Sequence, residues 1–148
     1  MEIRSQTFEN NDELPREYTC QGVGAPPPLE WNDLPEGTKS LVLICDDPDA
    51  PNGTFYHWGV YNLPEDMTSF TIASGAGGFP MAENDAGGAN YYPPCPPKGH
   101  GPHNYRFYVW ALGVEELRFN HVPTVKELVE KARPHVLDEG MIQARFQQ

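Results

Sequence analysis

Residues 40–58 read SLVLICDDPDAPNGTFYHW: an apolar run, then three aspartates set among two prolines, then an aromatic segment carrying a histidine. A short continuous apolar run such as residues 40–45 fits a strand buried on both faces. The carboxylates therefore fall at a strand end, and His57 stands near the start of the next strand. Aspartates beside proline often do no more than cap a turn, because their side chains accept from nearby backbone N–H groups. Close to an imidazole, the same carboxylates can do chemistry.

Working outward, period two over residues 55–62 places Phe55, His57, Gly59 and Tyr61 on one side and Tyr56, Trp58 and Val60 on the other. His57 is thereby expected opposite Trp58. Over residues 105–112 the same rule groups Tyr105, Phe107, Val109 and Ala111 against Arg106, Tyr108, Trp110 and Leu112. One helix is clear. Thr124 and Glu127 of TVKE form a capping box ahead of KELVEKAR, and Pro134 is expected to end the helix. Residues 141–146 predict a last short strand. Between Ile72 and Tyr105 lies a Gly/Pro-rich stretch of roughly thirty residues, long enough to be functional and so taken as one wall of any site.

At 148 residues the chain has the length of a single domain, 1–148, with a core of its own. Its 16 prolines, about 11% against a usual frequency of roughly 5%, disfavour helical bundles and favour short strands joined by stiff loops. The formal net charge of -11 repels phosphate backbones and anionic bilayers, which argues against nucleic-acid and membrane-surface partners. Its longest apolar run, LVLIC, is far too short to span a bilayer. With no basic leader ahead of an apolar stretch, a cytoplasmic protein is the simplest expectation. Cys20, Cys45 and Cys95 make an odd set without CxxC spacing, so reduced thiols are expected and neither a disulfide framework nor a thiolate zinc site is indicated.

The chemistry open to these residues is limited. If the DPDAP carboxylates meet His57, and if His100, His103 and Tyr105 reach the same rim, a carboxylate would fix an imidazole tautomer, point its other N–H outward and raise its pKa. Two such rings and a phenol could present donors to a small oxyanion, with loop N–H groups completing the cradle. Asp47 with His57 could instead be the acid/base pair of a hydrolase, although there is no GxSxG elbow and Ser74 sits in a glycine stretch. Two histidines and a carboxylate could hold a metal, although no HxH or HExxH spacing is present. A Cys95/His103 nucleophile would need an activated thiolate.

Taken in order, YTCQGVGAPPPLEW, LPEGTKSLVLICDDPDAP, FYHWGVYNLP, PPCPPKGHGPHNYRFYVWALG and TVKELVEKARPHVL make the chain resemble the phosphatidylethanolamine-binding protein family, in its short bacterial and archaeal branch. The resemblance implies a mainly β fold, a Greek-key β-sandwich of a large central sheet and a smaller one with peripheral helices, one near the C-terminus. It implies a non-enzymatic binding or regulatory protein without a cofactor, whose cavity takes phosphate-bearing head groups or stand-ins such as acetate. Matched residue by residue, that cavity would be lined by Asp47, Asp49, His57, His103 and Tyr105. Pro96 and Pro97 would flank it, and Gly99 and Gly101 would form its turns. Kinases or serine proteases are the implied protein partners, and exposed Phe or Tyr residues on the loops are candidates for a homodimer contact. Asn104 stands where the family usually has arginine, which removes a cation able to balance the aspartates. Pro26 and Pro93 also depart from the family pattern, and both are expected to stiffen loops at the cavity mouth.

Overall fold

The structure, a computed structural model, describes residues 1–71 and 78–148. Among the described residues, eight strands form two sheets. β1 (Glu2–Arg4), β3 (Leu29–Asn32) and β6 (Ser69–Phe70) make a small antiparallel sheet in the order β1-β3-β6. β2 (Asp12–Glu13), β4 (Ser40–Asp47), β5 (Phe55–Pro64), β7 (His103–Leu112) and β8 (Val136–Phe146) make the large one, in the order β2-β8-β7-β4-β5. Pairing in the large sheet is antiparallel except for the short β2–β8 contact.

β4 is central and every one of its residues is buried, as a continuous apolar run requires. Leu41, Leu43 and Cys45 join Trp31, Phe70 and Phe107 in the core between the two sheets, while Val42 and Ile44 join Trp110 and Leu128 in a second core under the helix. That helix, α1 (Val125–Ala132), begins at the expected capping box: Thr124 Oγ1 accepts from Glu127 N at 3.1 Å and Glu127 Oε1 from Thr124 N at 3.0 Å. Pro134 stops it, and a single 3-10 turn leads into β8. Gly59 lets α1 lie close on β5, since a Cβ there would sit 3.0 Å from both Val125 Cγ2 and Leu128 Cδ2.

The faces of β7 follow period two as expected, with Tyr105, Phe107, Val109 and Ala111 in the inter-sheet core and Trp110 and Leu112 in the other. β5 does not. Its register against β4 slips by one residue twice, between the Leu43↔Val60 and Leu41↔Leu63 pairs and between the Cys45↔Trp58 and Asp46↔Tyr56 pairs. Each slip is a bulge that holds one extra residue and resets the alternation. Trp58, Val60 and Leu63 consequently face the inter-sheet core while Tyr56 and Tyr61 pack on the helix side. His57, the extra residue of one bulge, touches Phe55 and Tyr105 and so lies on the side of Trp58, not opposite it.

The outer edge of β5 is covered by the loop that follows. Ala82 N donates to Gly59 O, Asp85 N to Tyr56 O and Tyr92 N to His57 O, so an otherwise open strand edge is paired within the chain. This brings the proline-rich segment alongside His57. β8 starts five residues earlier than the sequence pattern suggests and pairs with the whole of β7.

Candidate functional site

Asp46 and Asp47 end β4 and, as neighbours in a strand, point to opposite faces of the sheet. Asp46 accepts a fork from Arg106, Nε at 2.7 Å and Nη2 at 2.9 Å, on the helix side. Asp47 turns to the other face and does both jobs that its sequence allows. Its Oδ1 accepts from Asp49 N at 2.8 Å, capping the DPDAP turn, and its Oδ2 lies 2.7 Å from His103 Nδ1. Asp49 is tied elsewhere: its Oδ2 accepts from Asn104 N at 2.8 Å and Asn104 Nδ2 at 3.1 Å. Position 104 thus meets an aspartate, as a neutral donor.

An ionised carboxylate only accepts, so His103 donates from Nδ1 and its Nε2 is the outward atom. That atom is not free. It lies 2.6 Å from His100 Nδ1, and one proton is shared across that contact. The expected outward N–H of His103 is therefore already engaged by an exposed neighbour.

His57 is held differently from expectation. Its Nδ1 donates to the Tyr92 carbonyl at 2.7 Å, and its Nε2 has no partner among the described residues. Burial is the largest influence on this ring and lowers its pKa, outweighing the Tyr92 bond and the nearby Asp47 charge. The rise expected from a carboxylate partner is thus reversed, because a carbonyl takes the place of that partner while desolvation disfavours the cation. The Asp47–His57 acid/base pair does not form either. Tyr105 is almost fully buried, with its phenol pushed well up by burial first and by Asp47, Cys45 and Asp49 after it. Its hydroxyl stays protonated and has no hydrogen-bond partner among the described residues.

These groups meet in one cavity of about 170 Å³, with Asp47, His57, His103 and Tyr105 as its polar surface and Phe55, Pro51, Pro96 and Pro97 among its apolar walls. Asp49, Gly99 and Gly101 do not line it. The two glycines instead take φ of 78° and 92° in the turns that carry the loop back to β7, and Gly99 N donates to Gln148 O. The site expected from the sequence left out Ala50, Pro51, Phe55, Tyr92 and Cys95, which complete the lining. The usable sign for Tyr92 was its place in the proline-rich loop, but the pairing with β5 that aims it is not visible in a sequence. A larger hollow of about 780 Å³ beside α1 is open to solvent and lined by exposed Arg118, His121 and Lys131. The buried polar side chains of Asp47, His57, His103 and Tyr105, not volume, mark out the smaller cavity.

Cys95 also lines the cavity, and it is not a reduced thiol. It is bonded to Cys20 across 75 residues with Cα atoms 5.4 Å apart, within the span a disulfide needs. Cysteine spacing could not show this, because folding and not sequence proximity brings the two loops together. The bridge rules out the Cys95/His103 nucleophile. Cys45 is free but buried, with its thiol pushed up by that burial. No group of three His, Cys, Asp or Glu side chains among the described residues is arranged to hold a metal ion. No helix among them is long and apolar enough to cross a membrane. Ser74 lies outside the described residues.

Comparison with known proteins matches residues 4–147 to the sequence pattern of the family described as "Phosphatidylethanolamine-binding protein". A UPF0098 protein of Aquifex aeolicus is 44% identical over 146 residues, covering 96% of this chain and 85% of that protein. Among solved structures, Escherichia coli YbcL, described as a member of the mammalian PEBP family, superposes with a TM-score of 0.91 at 28% identity, covering 99% of this chain and 98% of its own. A PEBP homologue from Chlamydia trachomatis gives 0.88 at 36% identity, covering 99% and 97%. A carboxypeptidase Y inhibitor, solved with its cognate proteinase, gives 0.59 at 16% identity over 93% of this chain and 76% of its own, a likeness of fold alone.

Proposed function

This chain belongs to the phosphatidylethanolamine-binding protein family, and from that premise we propose that it is a non-enzymatic binding protein whose cavity holds one small phosphate-bearing group. The observation that carries this reading is the pair of unpartnered polar atoms, His57 Nε2 and the Tyr105 hydroxyl, on buried side chains that line a half-open cavity. Neither atom is sealed from solvent, so both are open to hydrogen-bond with a ligand that enters the cavity.

Volume and charge narrow the ligand. About 170 Å³ holds the equivalent of five or six waters, enough for a phosphoryl group and too little for an acyl chain. Tyr105 donates to a phosphoryl oxygen. His57, neutral at pH 7, offers Nε2 as an acceptor, which suits the O–H of a monoprotonated phosphate ester; once protonated, it donates instead. The nearby Asp47 carboxylate disfavours a fully ionised phosphate and favours that same protonated form. A phospholipid head group and a phosphorylated side chain of a protein partner, a kinase or serine protease among the family's expectations, both present this group.

The reading of binding without catalysis fits the state of the groups a nucleophilic mechanism would draw on: Cys95 is oxidised, Cys45 is sealed in the core, and the imidazole paired to Asp47 is engaged at both nitrogens. The test is an NMR titration of the histidine ring protons with phosphoethanolamine, inorganic phosphate and ethanolamine. Saturable shifts of His57 and His103 with both phosphates but not with ethanolamine are expected, and Tyr105→Phe should weaken them about tenfold or more. No saturable shift, or an unaltered affinity in Tyr105→Phe, would overturn the proposal.

A further inference from the structure

Asp46 opens on a different hollow from Asp47. α1 ends at Ala132, and the strands beneath it run on past that end. There the sheet's helix-side face forms a recess of about 210 Å³, separated from the first cavity by the sheet itself. Its floor is apolar, with Ile44, Val129 and Trp110. Tyr56 and Tyr108 rise from neighbouring strands, and Arg133 stands at the rim with its Cζ 5.1 Å from the centre of the Trp110 ring.

The hydrogen-bonding groups of this recess are out of balance. Arg106 is consumed by its fork with Asp46, but Arg133 has no carboxylate partner among the described residues. The Tyr56 and Tyr108 hydroxyls have no partner there either, and burial keeps both phenols protonated. Trp110 Nε1 is buried without an acceptor. Against these donors stands one unpartnered acceptor group, the exposed Glu139 carboxylate, so donors still outnumber acceptors and the missing complement is an acceptor. The charged groups facing the recess are Arg106, Arg133, Asp46 and Glu139, which cancel. A monoanion suits such a site; a dianion meets the Glu139 carboxylate without enough cation to offset it.

We infer that this recess is a second ligand site that takes a small carboxylate on a flat body, its carboxylate on Arg133 and the tyrosine hydroxyls and its body between the Tyr56 and Tyr108 rings. Arginine pairs with a carboxylate through two parallel N–H bonds, and the ring beneath the guanidinium holds it in a plane. The volume corresponds to about seven waters, the scale of a single aromatic ring with a carboxylate.

Benzoate is the probe, followed by calorimetry and by the indole N–H resonance of Trp110, with benzyl alcohol as its uncharged counterpart and sulfate as a dianion. Saturable benzoate binding is expected, at least tenfold tighter than that of benzyl alcohol, lost at least tenfold in Arg133→Met and unchanged in His57→Gln. Tyr56→Phe, which keeps the ring, should give a smaller loss and serves if Arg133→Met does not fold. The inference is overturned by an absence of saturable benzoate binding, by equal binding of benzyl alcohol, by sulfate binding that depends on Arg133, or by benzoate binding that survives both pocket variants and disappears in His57→Gln.

Discussion

Asp47 Oδ2 lies 2.7 Å from His103 Nδ1 with both side chains almost fully buried, while Asp47 Oδ1 accepts from the Asp49 backbone 2.8 Å away. One carboxylate thus fixes both the turn that ends β4 and the imidazole that begins β7. Asp47→Ala removes both acceptors and leaves a buried N–H unpaired, which costs about 1.5–3 kcal/mol for a bond to a charged group. Asp47→Asn has one acceptor oxygen for the two donors and should fall between wild type and alanine. Urea unfolding checks the order; an alanine variant as stable as wild type would mean that the pair contributes no stability.

His57 gives opposite pH slopes for stability and for binding. Its folded pKa lies below the unfolded value, so the unfolded chain takes up the proton first as pH falls. The stability held in the neutral buried ring is fully present above about pH 6.5 and is lost as pH drops from there towards the folded pKa. Anion affinity should rise over the same interval, because a protonated His57 Nε2 becomes a donor. Sulfate, which does not titrate in this range, is the suitable probe. Calorimetry between pH 5 and 8 should show tighter sulfate binding on acidification in wild type and a flat profile in His57→Gln, while urea unfolding without sulfate runs the other way.

The sequence was most informative where local rules suffice. The alternation of Tyr105 to Leu112 sorted β7 correctly between two cores, and the TVKE box located the start of α1, because neither depends on a distant partner. It failed at β5, where period two assumes that no residue is inserted. The bulge at His57 reversed the face of Trp58, and nothing in FYHWGV signals it. Among the site residues, DPDAP and HNY were placed in the cavity region through Asp47, His103 and Tyr105. What could not be read was which atom each group would meet. That His103 rather than His57 takes Asp47, and that Cys20 reaches Cys95, are set by strand register and loop docking over separations of 56 and 75 residues.

Thr124→Ala tests how far α1 depends on its cap. The substitution removes the acceptor for Glu127 N and half of a reciprocal pair, and N-cap losses of this kind typically cost about 1 kcal/mol. For a chain of this length that corresponds to roughly 3 °C in Tm. Scanning calorimetry should find that decrease, and Thr124→Ser should restore most of it. An unchanged Tm would show that packing of Val125, Leu128 and Val129 on the sheet holds the helix without the cap.

The Cys20–Cys95 bridge joins the loop after Tyr18 to the loop that carries Pro96 and Pro97, so it sets one wall of the cavity. It conflicts with the reducing cytoplasm expected from the sequence, since such bonds persist mainly in oxidising compartments or in intracellular proteins of hyperthermophiles. Closing a loop of 75 residues restricts the unfolded chain; its loss costs about 4.5 kcal/mol on the entropic account, against about 2–4 kcal/mol for a typical bridge. The wall should not detach altogether on reduction, because Cys20 N still donates to Pro94 O at 3.0 Å and Gln148 Nε2 to Pro96 O at 2.7 Å. A few-fold loss of phosphate affinity, together with the lower stability, is therefore expected in Cys20→Ser/Cys95→Ser and in wild type treated with a dithiol. Maleimide labelling of unfolded protein checks the premise. Without reductant one thiol, Cys45, should react; with reductant all three should. Three reactive thiols in the unreduced protein would show that the bridge does not form, and the cavity wall would then rest on those hydrogen bonds alone.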